Sequence, residues 1–184
     1  MALATVLTPG INLSLWRPRS LASVVNEVAD LTASTFPNVR CLTSTDTCAA
    51  DIDALFRQQG LMCAGFLRWI DDLIQLTEIF SGLVGARPIT LRLETTDQDS
   101  CPRFHVDRTY LRLLCVYRGP GTEWLENKQV NRYALQHGAP NAAIVRYGAP
   151  SRFRPFWVGV MKGDRFPGNE GNGSSASFAA DGRP

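Results

Sequence analysis

The feature that most constrains this chain is a single change of hydrophobic period, from about 3.6 residues to 2, near Gly85 and Pro88. Before that point the apolar residues recur at helical steps. Pro18 suits a first helical turn, and Leu21, Val24, Val25, Val28 and Leu31 then form one face, so the spacing predicts a helix to about Ala33, before Phe36-Pro37. A longer helical stripe runs over 49–84 through Ile52, Leu55, Phe56, Met62, Phe66, Leu67, Ile70, Leu73, Ile74 and Phe80, with Gly60 as a break or kink. No polar residue is expected to be stranded on these apolar faces, so the helices read as packing elements. Ahead of them, Ile11, Leu13 and Leu15 alternate with polar residues, as in a short strand or extended arm.

After Pro88 the chain reads as strands at 89–96, 103–108, 110–118, 142–148 and 156–163, separated by the turn-rich runs DQDSCP, GPG, GAPN and APSRFRP. Helices first and strands afterwards predict an α+β fold whose strands close into a sandwich or small barrel, because βαβ units need interleaved helices. The expected organisation is one domain: a helical layer over 1–86, a β-rich core over 87–168, and a tail over 169–184 that looks disordered on composition. FWVGVMKGD then calls for a partner strand that no later segment supplies.

Composition narrows the class. At 45% hydrophobic and 20% charged, the chain is neither a disordered tail nor a collagen-like repeat. Charge is uneven: 1–86 carry five Arg against eight acids, whereas 87–165 carry thirteen Lys or Arg against seven acids. The net charge of +2 gives no ground for a nucleic-acid partner. Five cysteines without a CxxC pair read as reduced thiols, and no run approaches the length of a membrane span. A cytoplasmic protein with no membrane partner and an unspecified small-molecule substrate is expected.

One constellation has a chemical rationale. In Phe104-His105-Val106-Asp107 the i, i+2 spacing puts an imidazole and a carboxylate on one side of a strand, while Phe104 and Val106 pack behind. Such a pair supplies two corners of the facial triad that holds non-haem Fe(II). Its bland counterpart is a surface histidine bonded to a neighbouring acid. Cys101 and Cys115 flank the pair and would suit zinc, although burial is the commoner fate of a free cysteine. Arg112 and Arg118 are candidates for an anionic co-substrate, or for structural pairs with Asp107 or Glu123. His137, the other histidine, reads as a surface residue, and Asp71, Asp72, Asp97 and Asp99 give no support for paired-carboxylate hydrolysis. PGNEGNG lacks the GK[ST] ending of a phosphate loop, and GxSxG, HExxH and a dinucleotide fingerprint are absent.

The segments CPRFHVD, YRGPGTEWL and KGDRFPGNEG, together with the early Trp-Arg-Pro, resemble an uncharacterised bacterial family, domain of unknown function eighteen twenty-six, across most of the chain. The order of these motifs is similar to that of the double-stranded β-helix, a cupin-like jelly roll, in oxygenases dependent on Fe(II) and 2-oxoglutarate. The resemblance implies His105 and Asp107 as metal ligands and an arginine, Arg112 or Arg118, as the clamp for 2-oxoglutarate. It implies a helical layer on a jelly-roll sheet that is incomplete at its C-terminal end. The alternative is a non-enzymatic zinc-handling protein, since relatives are often encoded beside zinc-homeostasis genes. Where the family continues into a strand with His-Arg-Ser-Pro, this chain reads Ser174-Ser175-Ala176-Ser177-Phe178-Ala179-Ala180-Asp181. The codons TCG TCG GCA TCG TTC GCC GCC GAC, read one nucleotide out of frame, give Arg-Arg-His-Arg-Ser-Pro-Pro. A frameshifted tail lacking the third ligand is therefore expected.

Overall fold

The structure is a computed structural model that describes residues 2–17, 21–32, 34–85, 87–95 and 103–177. Pro18, Ala33, Asp97, Asp99, Cys101 and the last seven residues lie outside that range. In chain order the elements are a 3₁₀ turn (Ala2–Leu7), β1 (Leu13–Trp16), α1 (Ala22–Val28), β2 (Val39–Thr43), α2 (Cys48–Gln58), α3 (Leu67–Val84) and β3 (Ile89–Leu93). They continue with β4 (His105–Val106), β5 (Leu111–Cys115), β6 (Glu123–Leu125), α4 (Arg132–Gln136), α5 (Asn141–Ile144), β7 (Ser151–Arg152), β8 (Val158–Lys162) and β9 (Ser175–Ser177). The chain is thus a mixed α+β protein with small antiparallel sheets.

Two compact units emerge, Ser20–Thr95 and Met1–Arg19 with Thr96–Pro184. β3 pairs with β2 in the helical unit, Cys41 opposite Leu91, and the N-terminal arm belongs with the later strands.

In the helical unit, Gly60 ends the turn after α2 at φ +74°, so the long periodic stretch is two helices. Their apolar side is centred on Trp69, fully buried, whose ring lies 5.3 Å from both Phe36 and Phe56. Met62 and Leu67, expected on the stripe, are exposed. Contrary to the expectation of a purely apolar face, Thr77 and Ser81 of α3 are buried. The Thr77 hydroxyl bonds the Cys48 thiol at 3.3 Å, and such a partner is what lets a small polar group sit in a core.

Glu27, from α1, caps α3. Its two carboxylate oxygens accept the backbone N–H groups of Arg68 and Trp69 at 3.0 and 2.7 Å, so a negative charge meets the helix N-terminus and satisfies two orphan donors.

The other unit holds a three-stranded sheet, ordered β1-β8-β5, and a four-stranded sheet, ordered β4-β9-β6-β7. β8 is buried throughout and pairs Met161 with both Leu13 and Arg112, so the arm at 11–16 is one of its partner strands. At Gly159 a β-carbon would lie 2.5 Å from the Phe153 ring, and that ring stacks edge-on against Trp124 of β6, 4.9 Å away. Phe153 therefore fills the space between the two sheets.

The other face of the four-stranded sheet is closed by α4 and α5, where Phe104, Leu125, Val130, Ala134 and Ile144 form an apolar cluster. Residues 142–148, expected as a strand, are helical over Asn141–Ile144, with only Val145 bridged to Val130. The reason is local. Pro140 presets φ at −58° just before the turn, the Asn141 side chain accepts the Phe104 N–H at 2.9 Å, and Ile144 then faces the cluster.

Glu27→Ala removes both acceptors from α3 and is expected to lower stability by about 1–2 kcal/mol, with Glu27→Gln less affected; urea denaturation measures it.

Candidate functional site

His105 and Asp107 come from the point where the chain crosses between sheets. β4 leaves the four-stranded sheet at Val106, Asp107 starts the crossing bend, and β5 enters the three-stranded sheet at Leu111. Phe104 packs into the apolar cluster, so its neighbour His105 points to the opposite face, toward the other sheet.

The imidazole is held by its far side. Nδ1 lies 2.9 Å from the Arg103 carbonyl oxygen and donates to it, which leaves Nε2 turned toward the crossing bend. Nε2 faces Asp107 Oδ1 at 3.8 Å, beyond hydrogen-bond range. The second carboxylate oxygen, Oδ2, accepts from Arg112 Nε at 2.9 Å. Arg112 projects from β5 on the side occupied by Gly159 and Met161, so this ion pair joins one sheet to the crossing segment of the other. Asp107 is largely covered, with its side chain 16% exposed, whereas His105 and Arg112 keep about twice that.

The backbone fixes Asp107. Its carbonyl accepts the Asp164 N–H at 2.9 Å, and the carbonyls of Thr109 and Tyr110 accept from Arg165 and Gly163, both at 3.1 Å. This approach requires glycine at 163, since a β-carbon there would lie 2.5 Å from the Asp107 carbonyl oxygen and closer to that of Thr109.

Opposite His105 stands Ala176. β9 inserts between β4 and β6, pairing Ala176 with His105 on one side and Trp124 on the other, so the three side chains share a face. Arg132 sets this strand in place. Its Nη1 donates to Gly173 O at 2.7 Å and its Nη2 to Asn127 Oδ1 at 3.1 Å, and burial pushes its guanidinium below the usual range against the attraction of Asp164. Nothing in the reading of the sequence marked Arg132. Lys162 is a second buried anchor, donating to Thr8 O at 2.8 Å with Nζ 4.4 Å from the Phe166 ring, and burial lowers its pKa.

The other sequence candidates are dispersed. Arg118 is exposed beyond the far end of β5, six residues along the chain from Arg112. Arg112 is engaged with Asp107, and Glu123 pairs with Arg152 at 2.6 Å. Cys115 lies on the opposite side of β5 from Arg112. His137 is exposed and stacked on Tyr133, 4.2 Å between centroids, with Nδ1 at 2.8 Å from Tyr133 O. Among the described residues no third His, Cys, Asp or Glu completes a metal-holding group.

A family profile, described as "Protein of unknown function (DUF1826)", matches residues 1–175. The chain belongs to this family. No curated protein and no solved structure matches it. The DUF1826 match includes every element that builds the site up to Ser175 and stops one residue short of Ala176. No helix among the described residues is long and apolar enough to cross a membrane.

Gly163→Ala is expected to cost about 1–3 kcal/mol, since two backbone carbonyls must yield. Gly82→Ala in α3, where nothing lies within 4 Å, is expected to stabilise by about 0.5–1 kcal/mol. Paired denaturation curves read the opposite signs.

Proposed function

We propose that His105 and Asp107 bind a divalent metal ion, in a site of the Fe(II)/2-oxoglutarate oxygenase type that has only two protein ligands in this chain. One observation carries the reading. With Nδ1 committed to the Arg103 carbonyl, Nε2 and an Asp107 oxygen face each other at 3.8 Å, too far for a hydrogen bond and a separation that a cation between the two donors can bridge. An imidazole whose other nitrogen donates to a carbonyl is the usual support of a metal-bound histidine. The donor set, one nitrogen and one carboxylate oxygen, fits Fe(II) or Zn(II).

The jelly-roll architecture belongs to the same proposal, with the two sheets that enclose Phe153 as its layers. Ala176 takes the place of a third ligand, because a side chain there shares a face with His105 directly across the ladder. In the displaced reading frame the His codon shares two nucleotides with the codon assumed for Ala176, which puts a histidine at that position. Bound Fe(II) would supply oxidative chemistry in a complete triad. This chain's residues would hold the ion between sheets, and Arg112, bonded to Asp107, is the candidate arginine for a co-ligand carboxylate. The thiols Cys41, Cys48, Cys63 and Cys115 fit a reducing, cytoplasmic setting.

A second reading, exchangeable zinc binding without turnover, is favoured by the two-ligand count among the described residues. Calorimetric titration with Zn(II), and with Fe(II) under anaerobic conditions, should show weak binding that His105→Ala abolishes. Ala176→His should tighten it about tenfold or more, about 1.4 kcal/mol per decade. Consumption of 2-oxoglutarate by Ala176→His with Fe(II) favours the oxygenase reading, and tight zinc without turnover favours the binder. If neither form binds metal, the reading fails.

A further inference from the structure

We infer that Asn172 is a modification site: its side-chain amide is lost to attack by the Gly173 backbone nitrogen, and the isoaspartate that results unpins β9. This chemistry needs no metal and is independent of the binding proposed above.

Such a cyclisation asks three things of an asparagine: access to water, a following residue with no side chain crowding its nitrogen, and a nitrogen whose proton is free to leave. Asn172 is exposed at the close of the turn over 169–172, where its N–H donates to Asn169 O at 2.9 Å after Gly171 at φ +71°. Its carboxamide makes one long bond, Nδ2 to Glu170 O at 3.4 Å. Asn172 is also the asparagine of this sequence that glycine follows. The Ser174 N–H is tied to Lys162 O at 2.9 Å, but the Gly173 N–H just before it has no hydrogen-bond partner among the described residues.

The reaction uses only water and hydroxide. Hydroxide removes the Gly173 N–H proton, the nitrogen bonds Asn172 Cγ, and the Cγ–Nδ2 bond breaks, the leaving nitrogen taking a proton from water and departing as ammonia. Water then opens the five-membered imide at either carbonyl. Opening at Cγ gives aspartate. Opening at the main-chain carbon gives isoaspartate, whose backbone runs through Cβ and Cγ.

The surroundings leave no slack for that longer backbone. Asn172 O accepts from Asn12 Nδ2, and Gly173 O accepts from Arg132 Nη1 at 2.7 Å, so the carbonyls on both sides of the reacting nitrogen are anchored. Gly173 is pressed against β4, since a β-carbon there would overlap Val106 Cγ1. Isoaspartate inserts a methylene between the two anchors and turns the Asn172 carbonyl into a carboxylate off the main chain. The anchors then conflict with the pairing of Ser175 to Val106 and Ala176 to His105. β4 has β9 as its partner in the sheet, so the His105 strand is released together with β9.

The test is incubation of the full chain in mildly alkaline buffer, with and without urea, followed by peptide mapping. In the folded chain the peptide containing Asn172 is expected to gain one mass unit and to register as isoaspartate, several-fold faster than any other asparagine peptide and in proportion to hydroxide. Hydrogen exchange reads the consequence: amide protection at His105, Val106 and Ala176 falls several-fold in the aged protein, while that of β8 is kept. Asn172→Ala, which loses only the long bond to Glu170 O, is expected to keep its mass and its protection through the same incubation. Asn172→Asp carries the new charge without the added methylene and is expected to stay protected as well. An Asn172 that converts in urea but stays intact in the folded chain overturns the modification. Conversion with unchanged exchange, or an Asn172→Asp chain as unprotected as the aged protein, overturns the unpinning by a lengthened backbone.

Discussion

The candidate site depends on a backbone ladder three residues long. β4 is only His105 and Val106, and within its sheet it pairs with β9 alone. β9 in turn is shared with β6, so Ser175–Ser177 is the piece that brings the His105 strand into register with Trp124 and the interior. A strand this short has little intrinsic stability, and its position is imposed from outside. Arg132 holds the Gly173 carbonyl, and Ser174 N–H donates to Lys162 O at 2.9 Å, linking β9 to the end of β8. The glycine at 173 is part of that constraint, because a β-carbon there would overlap Val106.

Within this frame the chemistry of His105 follows from its two nitrogens being treated differently. One donates to the carbonyl of Arg103, two residues back, and the other faces a carboxylate on the crossing bend. The same carboxylate is the anchor for a guanidinium from the other sheet. A partly exposed pair of this kind contributes at most about 1 kcal/mol. Its importance is positional: it holds Asp107 at the mouth between sheets, where the acid faces both the imidazole and the arginine.

The sequence was informative where side-chain period carries the fold. The arm at 11–16, the 89–93 strand and the buried run Val158–Lys162 all follow from alternation or continuous apolar character, and Gly60 marked the break between helices through its positive φ. The i, i+2 spacing of His105 and Asp107 likewise announced that the two side chains turn to one side. It was uninformative where tertiary partners override local pattern. β9 is built from Ser, Ala and Ser, small residues with low strand preference that resemble a flexible tail, and only two flanking strands make it a strand. AAIV reads as β yet forms a helical turn because Pro140 and Asn141 act on its first residues. Thr77 is buried because the Cys48 thiol, a partner the sequence does not reveal, bonds its hydroxyl.

The geometry of His105 and Asp107 has a physical account that does not need a metal. The contacts that orient the two side chains do not involve the side chain at 176. The Arg103 carbonyl still fixes the imidazole, Gly163 and Asp164 still fix the Asp107 backbone, and Arg112 still balances its charge. Each of these is a local or cross-sheet constraint that also serves the fold, so the two-residue geometry is retained by the same interactions that hold the sheets together. Ala176 itself is buried, and a small side chain at that point keeps the row His105, Ala176 and Trp124 compact beside Phe153. The positions of His105 and Asp107 are thereby set by the same contacts that build the fold.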